Sequence, residues 1–120
     1  MNKPGQSFFQ SFIPALKGIW FAIRTERNMR IHLAAGIAVI ALGFSFNISR
    51  TEWLWLTSAM FAVWVTELLN TAIEQLTNLA SPDWNPLAGR AKDLAAGAVL
   101  MAAIYAVLTG IGVFFPYFFS

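Results

Sequence analysis

The 120-residue chain contains no cysteine, a single histidine and few charged side chains. The absence of cysteine excludes disulfides and thiolate metal sites, and one histidine argues against a histidine-based zinc site. Only 12% of the residues are charged, against about 25% in soluble domains, whereas 58% are hydrophobic. This composition indicates a membrane protein, and the length allows one domain at most.

Three stretches are apolar enough to cross a lipid bilayer. They cover about residues 31–48, 53–78 and 90–115, and each supplies the roughly 20 residues that cross about 30 Å of hydrocarbon. Basic residues cluster before the first span and in the second loop, whereas the first loop holds only Arg50. Because basic residues stay on the cytoplasmic side, we expect a cytoplasmic N-terminus and second loop.

A separate basic helix is predicted over about residues 14–27. Pro14 suits a first helical turn, and apolar side chains recur with helical spacing at Leu16, Ile19, Trp20 and Ile23. The basic residues of the segment fall on another side, which predicts an amphipathic helix on the inner leaflet. The expected fold is therefore all-α, with this surface helix and three transmembrane helices.

A stripe of polar residues runs along the second span. Glu67, Asn70, Glu74 and Asn78 are spaced by three, four and four residues, so they share one helix face. About 10.5 Å of helix axis separates the two glutamates. A carboxylate in hydrocarbon is costly and therefore marks a functional site. The stripe predicts a metal site, a proton path or a substrate site.

The depth of the spans places further charged residues near this stripe. If the second span enters from outside near Trp53, about 20 residues bring it to the inner boundary near Ile73. Glu74 then lies at the inner interface, and Glu67 lies roughly 9 Å deeper. The residues expected at the same inner level, just before the first and third spans, are Glu26, Lys92 and Asp93.

This set of groups suits phosphoryl transfer. Mg²⁺ prefers a few carboxylates together with substrate phosphates, and Glu26 and Glu74 are suitable ligands. Lys92 supplies a compact charge for phosphate oxygens, and Glu67 is placed to accept a proton from a lipid hydroxyl. Since the sequence has no glycine-rich phosphate loop, a nucleotide would be held by the carboxylates, the metal and the second loop.

Three other residues receive simpler interpretations. His32 is expected to be an interfacial hydrogen-bonding group rather than a ligand, and Glu52 a solvated loop charge. Asp93 is also expected to serve as an N-terminal charge that favours the dipole of the third transmembrane helix.

Two motifs, ELLNTAIE at 67–74 and GRAKD at 89–93, resemble the small prokaryotic diacylglycerol kinase family. ERNMRIH at 26–32 is similar to the undecaprenol kinase branch of that family. The resemblance covers nearly the whole chain. It implies three transmembrane helices and a surface helix per chain, a homotrimer with active sites shared between neighbouring subunits, and Mg-ATP as the phosphate donor.

The resemblance also implies roles for individual residues. Glu67 matches the catalytic base, and Glu26 and Glu74 match the metal-binding acids. The positions that match nucleotide-contacting or supporting residues are Asn70, Asn78, Lys92 and Asp93. The family usually has aspartate at the position of Asn78 and histidine at that of Asn85, so a weaker nucleotide site or an altered donor preference is expected.

The sequence therefore predicts a lipid kinase domain spanning residues 1–120. It is expected to transfer the γ-phosphate of Mg-ATP to undecaprenol at the cytoplasmic face of the bacterial inner membrane, with no nucleic-acid partner. One alternative is a diacylglycerol kinase that makes phosphatidic acid. A second is a proton- or cation-coupled transport subunit, which would need Glu67 but not Lys92. A small structural membrane protein, which would need neither residue, is the third.

Overall fold

The computed structural model of the protein describes Gly5 and residues 7–119, and the secondary structure in this part is entirely helical. A short 3₁₀ helix at Phe9–Ser11 precedes four α-helices. These are α1 Phe12–Thr25, α2 Arg27–Phe46, α3 Arg50–Ala80 and α4 Pro86–Phe119. The last three are long and apolar enough to cross a membrane. The prediction of an all-α fold with three such helices is confirmed.

The boundary between α1 and α2 is a single residue, Glu26. Its extended backbone, with φ −106° and ψ 114°, interrupts the helix, and its N–H still donates to the carbonyl of Ala22 at 2.8 Å. One guanidinium nitrogen of Arg30 donates to the carbonyls of Ile23 and Arg24, each at 2.9 Å. Cationic groups at a helix C-terminus satisfy its last carbonyls, so Arg30 fixes the junction that presents Glu26.

The turn between α2 and α3 is capped on both sides. Asn47 ends α2 in the left-handed conformation, with φ 51° and ψ 54°. Ser49 and Glu52 then form a capping box, with side-chain to backbone distances of 2.9 and 3.2 Å. The hydroxyl of Tyr117 on α4 also donates to the Glu52 carboxylate. The prediction that Glu52 is a solvated loop charge is therefore wrong.

Two glycines allow α2 to approach α3 closely. A Cβ atom on Gly36 would lie 2.6 Å from a ring carbon of Trp64, and one on Gly43 would lie 2.5 Å from a ring carbon of Trp53. Real Cβ atoms do not come this close, so each indole occupies the space that any larger side chain would need. Small residues at helix crossings are the usual means of close packing in lipid.

The pair α3 and α4 forms the long axis of the molecule. At 1.5 Å per residue, helices of 31 and 34 residues measure roughly 46 and 51 Å. Both exceed the approximately 30 Å of hydrocarbon. A five-residue loop, 81–85, joins them, and the side chain of Asn85 accepts from the N–H of Leu87 at 2.8 Å. The joined ends are long enough to extend past the bilayer as a helical hairpin.

Candidate active site

A buried carboxylate lies within α3. The side chain of Glu67 is 2% exposed, and its Oε2 atom has no hydrogen-bond partner among the described residues. Its backbone carbonyl accepts from the Thr71 hydroxyl at 3.0 Å. Burial of an unpaired polar atom costs roughly 1–3 kcal/mol, so this carboxylate is a candidate for a functional role.

His32 on α2 lies beside this carboxylate. Its Nε2 atom is 3.7 Å from Oε2 of Glu67. The indole N–H of Trp64 donates to the backbone carbonyl of His32 at 3.3 Å, which connects the histidine to α3. The interpretation of His32 as an interfacial hydrogen-bonding group missed this pairing, because the two residues are 35 positions apart and only the α2–α3 contact brings them together.

One helical turn further on, Asn70 and Glu74 form a second polar pair. The side-chain amide of Asn70 donates to Oε1 of Glu74 at 2.8 Å. The amide oxygen of Asn70 is buried and has no partner within the described chain. The spacing of the stripe thus places Glu67, Asn70 and Glu74 in succession along one face, and it leaves two buried acceptor oxygens available to a ligand or to another subunit.

Glu26 joins this group from the α1–α2 junction. Glu26 and Glu74 both lie within electrostatic range of the Glu67 carboxylate. Among the described residues, however, no set of three acidic or histidine side chains is close enough to hold a metal ion by itself. Mg²⁺ is commonly bound by one or two carboxylates plus substrate phosphates and water. The two glutamates fit that partial role, and the phosphates would complete the coordination.

The third part of the site links α3 to α4. The ammonium group of Lys92 donates to the side-chain oxygen of Asn78 at 2.6 Å, close to the loop that joins the two helices. Asp93 is exposed, and the structure does not bring it into contact with these groups. Since α4 begins at Pro86 and has no acidic residue in its first turn, the prediction that Asp93 is an N-terminal helix charge is wrong.

Two largely apolar cavities border the polar groups. One, of 510 Å³, lies between α3 and α4, where Asn70 is its single side-chain amide. The other, of 230 Å³, lies among α2, α3 and α4, with His32 in its wall. Both cavities are lined mainly by aliphatic residues. The first cavity therefore brings an apolar wall up to Asn70 of the polar stripe, and the second brings one up to His32.

Comparison with known proteins agrees with this architecture. Residues 14–114 match the family described as "Prokaryotic diacylglycerol kinase". The chain is 43% identical to an undecaprenol kinase of Bacillus subtilis, over 91% of this chain and 89% of that protein. It is 42% identical to a diacylglycerol kinase of Synechocystis over 83% of this chain, although it spans only 58% of that relative.

A relative with lower sequence identity is also a diacylglycerol kinase. The chain is 31% identical to the diacylglycerol kinase of Escherichia coli K12, over 78% of this chain and 76% of that protein. The match of the family over residues 14–114 includes the whole of the polar stripe and the Lys92 region. Together with three helices that can span a bilayer, these matches confirm the predicted resemblance. This multi-pass membrane chain belongs to the prokaryotic diacylglycerol kinase family.

Proposed function

We propose that this chain is a membrane lipid kinase that transfers the γ-phosphate of ATP to the hydroxyl group of undecaprenol. Membership of the family supports the kinase activity and ATP as donor, and the 43% identity to an undecaprenol kinase favours that acceptor. The observation that carries the proposal is Glu67, a buried carboxylate whose Oε2 atom has no hydrogen-bond partner in the described chain. The runner-up acceptor is diacylglycerol, because other relatives are diacylglycerol kinases.

Glu67 is the proposed catalytic base. Phosphoryl transfer depends mainly on positioning and on charge stabilisation, and a carboxylate that accepts the proton of the attacking hydroxyl completes it. Oε2 of Glu67 has no competing partner in the described chain and so is available to that hydroxyl. Transport of a cation would not need a lysine such as Lys92 for phosphate contacts, and the family match favours the kinase.

Glu26 and Glu74 are the proposed ligands of Mg²⁺. When bound with ATP, Mg²⁺ neutralises charge on the phosphate oxygens. Asn70 holds one oxygen of Glu74 at 2.8 Å, which orients the carboxylate. Lys92 is proposed to contact the phosphates, and Asn78 positions its ammonium group. Asp93 is the remaining nucleotide-binding candidate, and its exposure would let it reach ATP from the water side.

The domain spans residues 1–120 in this proposal, with its N-terminus and active site on the cytoplasmic side of the bacterial inner membrane. Glu26, Lys92 and the loop at 81–85 are then at one surface. Helix α1 exposes large apolar side chains, among them Leu16 at 64% and Trp20 at 60%. An amphipathic helix on the inner leaflet would bury these groups in the acyl region.

We propose assembly as a homotrimer with shared active sites. The number of chains comes from the family resemblance, and two features of the described chain support a site that a neighbouring subunit completes. One chain leaves the acceptor oxygens of Glu67 and Asn70 without partners in its described part, and it brings no complete metal cluster together there. A neighbouring subunit can supply the missing groups. Crosslinking in native membranes should therefore give a three-chain product.

Phosphate transfer measured in mixed micelles tests the proposed function. Purified protein would receive labelled Mg-ATP with either undecaprenol or diacylglycerol, in parallel reactions. Labelled undecaprenyl phosphate as the preferred product supports the proposal. Preferred labelling of diacylglycerol would retain the kinase and change its acceptor. Transfer to neither lipid, by a correctly assembled protein, would overturn it.

A further inference from the structure

The contact between His32 and Glu67 goes beyond the roles proposed above. Glu67 is 2% exposed, whereas the side chain of His32 is 24% exposed. The imidazole is thus the more accessible member of the pair. The distance of 3.7 Å between Nε2 and Oε2 is slightly longer than a hydrogen bond. Such separations are common in sites without substrate and shorten when substrate binds.

A base buried in this way has to lose its proton after every turnover. A protonated Glu67 cannot accept the next proton, and its 2% exposure leaves little direct contact with water. Oε2 has no hydrogen-bond partner and no ion-pair partner other than His32 within the described chain. The histidine is therefore the group placed to receive the proton.

We propose that His32 is a positioning and proton-relay residue for Glu67, an inference that rests on the proposed kinase function. The lipid hydroxyl oxygen bonds to the γ-phosphorus while the bond from that phosphorus to the bridging oxygen breaks. The electron pair of the broken bond leaves with ADP. The hydroxyl proton passes to Glu67 and then to Nε2 of neutral His32, and the imidazolium releases a proton to water from its exposed side.

The charged groups that act on Glu67 are His32 on α2, Glu26 at the α1–α2 junction and Glu74 on α3. Because Glu26 and Glu74 remain in a His32 variant, a change in turnover there reports on the imidazole.

His32→Gln and His32→Ala test the relay. Glutamine can still hydrogen-bond but cannot take a proton from Glu67. We expect kcat to fall about 10- to 100-fold in both variants, at or below the lower end of typical acid–base contributions. The KM values for ATP and undecaprenol should stay within about twofold.

Added imidazole separates a relay from a structural role. His32 forms part of the wall of the 230 Å³ cavity, so His32→Ala enlarges a space that imidazole can enter. We expect added imidazole to restore several-fold of the lost turnover in this variant. The matched control is Gly36→Ala, which forces Trp64 to move and disturbs the same helix contact without changing the imidazole. Imidazole should not rescue it.

The outcomes distinguish this inference from the proposed function. An active wild-type enzyme with full turnover in His32→Gln would overturn the relay and leave the kinase intact. A loss in His32→Ala that imidazole does not rescue would make His32 structural and would also overturn the relay. Absence of phosphate transfer by the wild-type protein to either lipid would overturn both proposals.

Discussion

The two ends of α3 are buried in different ways. Near its start, Leu56 packs with Ile48 and with Val113 and Phe114 of α4 in an apolar cluster. Eleven residues after Leu56 lies the buried Glu67, with Oε2 unpartnered in the described chain. The apolar end is stabilised by close van der Waals packing of these side chains, because lipid tails leave little hydrophobic driving force between helices. The polar end gives up stability at each unsatisfied oxygen.

This difference separates the part of α3 that stabilises the fold from the part that we propose to be catalytic. Three contacts stabilise the apolar end: the capping box, the hydrogen bond from Tyr117 to Glu52 and the packing of Trp53 against Gly43. Glu67 and Asn70 at the polar end are also buried, but each has an acceptor oxygen without a hydrogen-bond partner in the described chain. Variants at the polar end should therefore reduce turnover without unfolding, and variants at the apolar end should do the opposite.

The largest effect is expected from Glu67→Gln. The amide is nearly isosteric but cannot accept the hydroxyl proton, so turnover should fall about 10²- to 10⁴-fold. Thermal stability should be unchanged or higher, because a buried charge is removed. Activity and unfolding temperature would be measured on the same preparation. A variant with full turnover would contradict the role of the base, and one that fails to assemble would contradict the separation of the two ends.

Leu56→Ala should have the opposite profile. Removal of a side chain that is 2% exposed leaves a cavity and should cost about 2–5 kcal/mol of stability. Turnover per folded molecule should match that of the wild type, since the change is far from the polar stripe. Thermal unfolding in detergent, combined with activity normalised to the folded fraction, checks this. Leu54→Ala, at a 65% exposed position, is the matched control.

Gly43→Ala should destabilise the α2–α3 contact. The new Cβ would meet the Trp53 ring at 2.5 Å, and overpacking of this kind costs about 1–3 kcal/mol. Gly110→Ala adds the same methyl group where nothing lies within 4 Å, and it should be neutral or slightly stabilising. Equal unfolding temperatures for the two variants would show that the close contact with Trp53 does not contribute to stability.

The smallest effect is expected from Asn78→Ala. Loss of its bond to Lys92 should raise the KM for ATP about 2- to 10-fold, the range that one hydrogen bond provides, with kcat nearly unchanged. Leu79→Ala alters the neighbouring exposed position and should leave KM unchanged. A decrease in KM in Asn78→Ala would mean that Asn78 competes with the phosphates for the lysine.

Local patterns predicted much of this molecule. Hydropathy predicted the three spans, and helical spacing predicted that Glu67 and Asn70 share one face. Both patterns depend only on residues that are close in the sequence. The contacts of Gly36 with Trp64 and of His32 with Glu67 join residues about 30 positions apart, and a single sequence carries no direct record of them. Asp93 was misjudged because α4 begins at Pro86, well before the apolar run that marks the span.

The most direct test of the account compares Glu67→Gln with Leu56→Ala and the wild type in one assay. Transfer of labelled phosphate from Mg-ATP to undecaprenol would be measured in mixed micelles, normalised to folded protein. The account predicts full turnover per folded molecule for Leu56→Ala and a loss of at least about 100-fold for Glu67→Gln. Equal turnover by Glu67→Gln and the wild type would contradict it, because the buried carboxylate would then have no part in phosphate transfer.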